Sequence, residues 1–136
     1  MSTKQLLLAL TLPALLLLPS CGGDGAKEAA PVSLDVQATD TQGVKDAKTA
    51  WKTLCTTCHG ANGLGDGAAA AAFPVKPRSF GDKTWQASVD DAHIKKIIVE
   101  GGAAVGKSAL MTGAPHLKGN DEALDYLVRI VRSFGN

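Results

Sequence analysis

The apolar positions along this chain change period several times. Leu6 to Leu18 is a nearly unbroken apolar run, interrupted only by Thr11 and Pro13 and preceded by Lys4. A run this short, closed at once by Leu18-Pro19-Ser20-Cys21, reads as an export signal over residues 1–20 and not as a spanning helix. From Cys21 to Gln42 the composition turns to Gly, Ala, Asp, Lys, Glu, Pro, Ser and Thr, with isolated Val32, Leu34 and Val36. Such a stretch buries too little apolar surface to offset its ordering entropy, so it predicts a flexible tether over residues 21–42. The alternation of its three apolar residues also fits a short strand.

Beyond the tether the period becomes helical. Val44, Ala47, Trp51 and Leu54 fall at three- and four-residue steps and predict a helix from about Gly43 to Leu54. Gly60 to Gly67 is a loop by composition, and Ala68 to Ala72 suits a short helical turn. Phe73 to Trp85 holds two prolines and no helical period, which predicts an extended loop. Ser88 to Glu100 reads as a helix capped by Ser88, with Ile94, Ile97 and Ile98 on one face, Lys95 and Lys96 toward solvent, and Gly101-Gly102 as its stop. A long loop follows to Leu117. Asn120 then caps a final helix to Phe134, striped by Leu124, Leu127, Val128 and Val131, extended by Ile130, with Tyr126 at its edge or surface. The expected fold is one all-α domain over residues 43–136.

Composition sharpens this picture in one respect. The whole chain of 136 residues has three Phe, one Tyr and two Trp, so the folded part is lean in large side chains and would gain from a bound apolar group. Charge adds little: 14 Lys and Arg face 13 Asp and Glu, and removal of Lys4 with the signal leaves 13 against 13. No basic stripe suggests a nucleic-acid partner, and the balance gives no steering field. No general acid–base or nucleophile constellation stands out, so the chain does not read as an enzyme.

The chemistry concentrates in Cys55-Thr56-Thr57-Cys58-His59. Two thiols two residues apart can add across the two vinyl groups of a haem while the next imidazole reaches the iron from one face. Two alternatives use the same residues. A redox Cys-x-x-Cys belongs near a strand–helix pattern, and no strong strand precedes this one. A structural zinc site needs two further ligands, and His93 and His116 lack the usual paired spacing.

Met111 is the one methionine besides the initiator. A thioether is a soft, neutral ligand that favours ferrous iron and raises the potential, which makes Met111 the leading sixth ligand. His116 in that place would give a lower-potential bis-histidine haem, and Met111 as mere packing is the other alternative. His93, on a helix and facing outward, suits a surface residue.

The third cysteine has its own context. Leu18-Pro19-Ser20-Cys21 resembles the lipobox of bacterial lipoproteins, which implies cleavage before Cys21 and a lipid on its thiol. Lipidation would account for the odd cysteine, whereas an ordinary secretory signal cut near Ser20 would leave it free.

From about Gly43 to Asn136 the chain resembles the class I c-type cytochromes. Ala47, Trp51 and Cys55 at four-residue intervals are similar to that family's first helix, where the small residue lets the C-terminal helix cross closely. The resemblance therefore places Leu127 and Ile130 against Ala47 and Trp51. His59 through Gly67 is similar to a His-Gly-x-x-Gly-x-Gly-Asp-Gly run in bacterial members. A proline often follows there, its region giving a backbone carbonyl to the axial histidine; here the residue is Ala68, and the donor stays unnamed. A Pro-Arg pair and a later Trp face the haem propionates in similar cytochromes, which implies Arg78 as an ionic partner and the Trp85 indole N–H as a donor. The loop from Gly101 is similar to the family's methionine loop, with Thr112 where proline is common.

The resemblance implies three main helices around one covalently bound haem c, with long loops between them. It implies a one-electron carrier with redox-protein partners, ligated by His59 and Met111, with no small-molecule substrate. Joined to the lipobox, it implies a lipoprotein held to a membrane on the extracytoplasmic side. The rivals are a haem enzyme or gas sensor with a labile sixth ligand, and a structural lipoprotein with zinc at the cysteines.

Overall fold

The computed structural model describes residues 32–136. The expected signal peptide, Cys21 and the first half of the tether lie outside the described residues. Helix α1, Gln42–Ala50, continues through a π turn, Trp51–Cys55, into α2, Thr56–His59. Three further helices follow: α3 over Lys83–Ser88, α4 over Asp91–Glu100 and α5 over Asp121–Ser133. Short 3-10 turns occupy Ala68–Ala72, Ala103–Val105 and Pro115–Leu117. Among the described residues there is no strand, so the architecture is all-α, helices joined by long loops.

Helices α1 and α5 meet at the heart of the molecule. Ala47 and Ile130 are 0% exposed, Leu127 1% and Trp51 2%, all within one core, as expected from the resemblance. Ala47 is not the only small residue at this crossing. A Cβ added to Gly43 would lie 2.8 Å from Glu122 Cβ, so α5 comes too near for any side chain there. Glu122 also accepts a hydrogen bond from the Thr41 hydroxyl at 2.7 Å, tying the start of α1 to α5. Asn120 caps α5 by accepting from the Ala123 N–H at 3.2 Å.

The π turn corrects the expected apolar stripe of α1. The Thr56 N–H bonds to the Trp51 carbonyl, one residue beyond the α-helical partner. The wider turn makes Cys55, and not Leu54, the next residue inward after Trp51. Cys55 packs against the core, whereas Leu54 is 50% exposed.

Helix α3 was not expected. Asp82 caps it by accepting from the Thr84 and Trp85 N–H groups at 3.0 and 3.1 Å, which lifts Trp85 out of the extended loop and onto a helix. Ser88 then ends α3, its hydroxyl donating to the Trp85 carbonyl at 2.8 Å. The cap of α4 is consequently Asp90, which accepts from the His93 N–H at 2.7 Å. Lys95, expected toward solvent, pairs with Asp125 of α5.

The largest difference lies at the N-terminal edge. A free tether was expected as far as Gln42, but from Val32 onward the chain is bound to the α1–α5 pair. Val32 and Leu34 pack on the core, and Tyr126, buried and not at the surface, donates its hydroxyl hydrogen to the Ser33 carbonyl at 2.7 Å. Lys48, 1% exposed, donates to the Asp35 carbonyl and to the Asp40 carboxylate, each at 2.8 Å. Its ammonium also stands 5.5 Å from the Tyr126 ring centre. Residues 32–41 thus form a strap latched by the buried Lys48, with Lys52 paired to Asp35 at 3.0 Å and Lys45 donating to the Ala38 carbonyl at 3.5 Å. Neither the free tether nor the strand describes it, because backbone carbonyls of the strap are spent on side chains of α1 and α5.

The latch has a definite pH behaviour. Its hydrogen bond from Lys48 holds the Asp40 carboxyl below the ordinary value, and the same bond raises Lys48. The Asp40 contribution is present above the ordinary carboxylate pKa and is lost as pH falls through the lowered folded value. The Lys48 contribution is present below the ordinary ammonium pKa and is lost as pH rises through the raised one. The Gln37 N–H, which donates to Asp40 Oδ2 at 2.8 Å, reports on it directly. Its hydrogen-exchange protection factor is expected to hold at neutral pH and to fall below about pH 4. In Asp40→Ala, which removes the acceptor, it is expected to be low already at neutral pH. Amide exchange followed by NMR checks both, and an Asp40→Ala profile matching the unmutated protein would contradict the latch.

Candidate functional site

The motif sits on the last turn of a helix, and the loop after it is folded to close that end. Gly60 takes φ +78°, a left-handed conformation that stops the helix. The Gly65 N–H then donates to the His59 carbonyl at 2.8 Å, and the Gly67 N–H to the Cys58 carbonyl at 3.1 Å. Two C-terminal carbonyls of the helix are so satisfied by glycine amides. Gly67 has an ordinary φ of −59°, yet a Cβ there would stand 2.5 Å from both the Thr56 and Thr57 carbonyl oxygens.

The same loop carries the segment from Pro77 to Phe80 across the histidine. A Cβ on Gly65 would collide with the Pro77 carbonyl, and the Phe80 N–H donates to the Gly63 carbonyl at 2.7 Å. This places the Arg78 carbonyl 3.1 Å from His59 Nδ1. A carbonyl only accepts, so Nδ1 carries the proton and Nε2 keeps its lone pair. Burial lowers the His59 pKa, outweighing the opposing effect of the Arg78 carbonyl, and so favours the neutral ring that a metal requires.

Cys55 and Cys58 are free and half-buried. Burial first, and then the neighbouring Cys58, push the Cys55 thiol up to about 11. A redox-active Cys-x-x-Cys depends on a lowered thiol pKa, so this environment weighs against the redox pair. Among the described residues no group of three or more His, Cys, Asp or Glu is arranged to hold a metal ion, which leaves the zinc alternative without its further ligands.

Met111 is half-buried in a loop folded back on the end of α4. The Gly102 N–H donates to the Met111 carbonyl at 2.9 Å, and the Ala114 N–H to the Ile98 carbonyl at 2.7 Å. The glycines at the start of the loop permit this: a Cβ on Gly101 would stand 2.8 Å from the Met111 carbonyl oxygen. His116 is exposed in its 3-10 turn, and His93 is half-buried on α4.

Arg78 contributes through its backbone. Its guanidinium, half-exposed, pairs with Asp82 at 3.2 Å and stands 6.0 Å from the Trp85 ring centre. Trp85 packs on Phe80, ring centres 5.5 Å apart. Phe80 is the residue that sequence reasoning passed over. Its ring stacks on His59 at 4.5 Å, and its only signal was being an aromatic in a proline-rich stretch two residues past the orienting carbonyl.

A model of the family Cytochrome c matches residues 44–133. The chain belongs to the cytochrome c family. No curated protein and no solved structure gives a match. The all-α fold is that of the class I cytochromes c, and the family function is electron transfer through haem c. Domains of this family are typically carriers and not enzymes, and typically extracytoplasmic. No helix among the described residues is long and apolar enough to cross a membrane.

The residues present fit haem c. Two unpaired thiols and a neutral imidazole with a free Nε2 share one helix end. Leu54 and Leu110, each 50% exposed, stand next in the chain to Cys55 and Met111 and offer apolar surface to a ring. The tight loop generates a clear expectation. Gly67→Ala should destabilise the protein by about 2 kcal/mol, since its Cβ meets helix carbonyls that have little room to move. Gly81→Ala, whose Cβ would meet nothing closer than 3.6 Å, serves as the near-neutral control. Thermal or denaturant unfolding of the two variants checks the difference.

Proposed function

We propose that this chain is a single-haem electron carrier, with haem c bound covalently through Cys55 and Cys58 and ligated by His59 and Met111. The observation that carries the reading is the His59 geometry: Nδ1 is committed to the Arg78 carbonyl at 3.1 Å, so Nε2 is the nitrogen left for iron, beside two free thiols. When bound, the haem supplies an iron that alternates between ferric and ferrous states.

The protein's own part is to hold that centre still. The Arg78 carbonyl fixes the imidazole's tautomer and raises its basicity as a ligand. Gly102 and Ala114, through their amides, hold the Met111 loop against α4. With His59 and Met111 both holding the iron, no position would be left for a substrate, and little rearrangement would accompany a change of oxidation state. Arg78 and Trp85 are the proposed contacts for the propionates, Arg78 by charge and Trp85 by its indole N–H.

Cys21 is the proposed lipid attachment point, which would hold the domain at a membrane on its extracytoplasmic side. The partners are then a donor and an acceptor protein reached from that surface. A haem enzyme or gas sensor would need the sixth position open, and the test separates the two.

The full chain, expressed with haem-attachment machinery, is expected to hold haem through acid–acetone extraction and to show the weak red band of ferric iron bonded to sulfur. Met111→Ala should abolish that band and admit carbon monoxide readily. A high-spin, carbon monoxide-binding spectrum in the unmutated protein would favour the enzyme or sensor. Protein purified from the membrane fraction is expected to begin at Cys21 and to carry the mass of a lipid on that residue, read by intact-mass spectrometry; an unmodified Cys21 thiol would refute the lipid anchor.

A further inference from the structure

The Arg78 carbonyl constrains one atom of the His59 ring. One hydrogen bond leaves the ring free to tilt about the line through that atom and the side-chain bond. The structure supplies a second constraint. The Phe80 ring lies nearly parallel to His59, centres 4.5 Å apart and planes 18° apart. An aromatic face packed this way resists tilting, because any rotation drives one edge of the imidazole into it.

Phe80 is itself held from several sides. It is 7% exposed, with Trp51 at 6.2 Å and Trp85 at 5.5 Å from its ring centre. Its N–H is tied to the Gly63 carbonyl at 2.7 Å, and its carbonyl accepts from Gln86 Nε2, also at 2.7 Å. Gln86 Nε2 donates in addition to the Val131 carbonyl at 2.9 Å, and Gln86 Oε1 accepts from Arg132 at 3.0 Å. Arg132 is anchored in turn to the Gln86 and Val89 carbonyls and to Asp91. The stack on His59 is therefore braced from α5 through Gln86.

We propose that Phe80 is a positioning residue that sets the plane of the His59 imidazole, and so the azimuth at which the imidazole π system meets an iron on Nε2. This rests on His59 being an axial ligand. A neighbour that orients a ligand tunes the metal centre without touching it.

The plane of an axial imidazole selects which porphyrin positions carry unpaired spin in the low-spin ferric state, so the four haem-methyl proton shifts and the EPR g values read it directly. In the haem-loaded full chain, Phe80→Leu is expected to change the order or spread of the four haem-methyl shifts, and the g values, while the haem stays low-spin. Phe80→Tyr keeps the flat face and should retain the original pattern. A lowered Tm in Phe80→Leu with an unchanged methyl pattern would make Phe80 a packing residue only and overturn the proposal. If Phe80→Leu does not take up haem, Phe80→Met serves in its place under the same criterion.

The unmutated ferrous protein gives an independent check. Its His59 ring protons are expected to be shifted far upfield by the haem and to show nuclear Overhauser effects to the Phe80 ring. Upfield His59 protons without those effects would refute the stack alone. Unshifted His59 protons would refute His59 as the ligand, and the proposal with it.

Discussion

The helix that carries Cys55, Cys58 and His59 has to end immediately after the histidine, and everything around the site follows from how it ends. A helix terminus leaves carbonyls without partners, and near a buried imidazole water is a poor answer to them. Here the chain reverses at Gly60 and returns the amides of Gly65 and Gly67 to the His59 and Cys58 carbonyls. Having been brought back so closely, the loop has no space for side chains at Gly65 and Gly67. The next segment then crosses the histidine at the height where the Arg78 carbonyl meets Nδ1. Helix termination, loop composition and ligand orientation are one arrangement.

A second arrangement braces the first. The α1–α5 crossing buries Trp51, which stacks on Phe134 at 5.4 Å and lies beside Phe80. Arg132 and Gln86 join α5 to α3 and to the start of α4 by bonds to backbone carbonyls. These charged and amide groups are partly buried with their donors engaged, the condition under which polar groups near a core hold one geometry instead of destabilising it. The aromatic residues are few, and four of them form one chain of ring contacts: Phe134 on Trp51, Trp51 and Trp85 on Phe80, and Phe80 on His59.

Much of this was legible in the sequence, and the illegible parts share a cause. Periodicity located α1, α4 and α5, because an apolar stripe is a repeated signal. The motif located the site, and the glycine run located its loop. Trp85 was misplaced because α3 is only six residues long and is begun by a side-chain cap at Asp82, too brief to show a period. Leu54 was misplaced because the π turn breaks the period within a helix. Lys48 had a signal that was overlooked: it occupies the inward face with Val44 and Trp51, an odd place for a charge, and the carboxylate that answers it lies eight residues earlier. The donor to His59 could not be read from residue types at all, since every residue has a carbonyl and only the folded path chooses one.

The strap over residues 32–41 bears on geometry at a larger scale. If Cys21 is the anchor, the length of chain between it and the bound strap is counted to Val32 and not to Gly43. Eleven steps of fully extended chain cover at most about 40 Å, against about 75 Å for the twenty-two steps to Gly43. On that shorter leash the domain would work close to the bilayer, and its collisions would be confined to proteins whose own redox centres stand near the same surface.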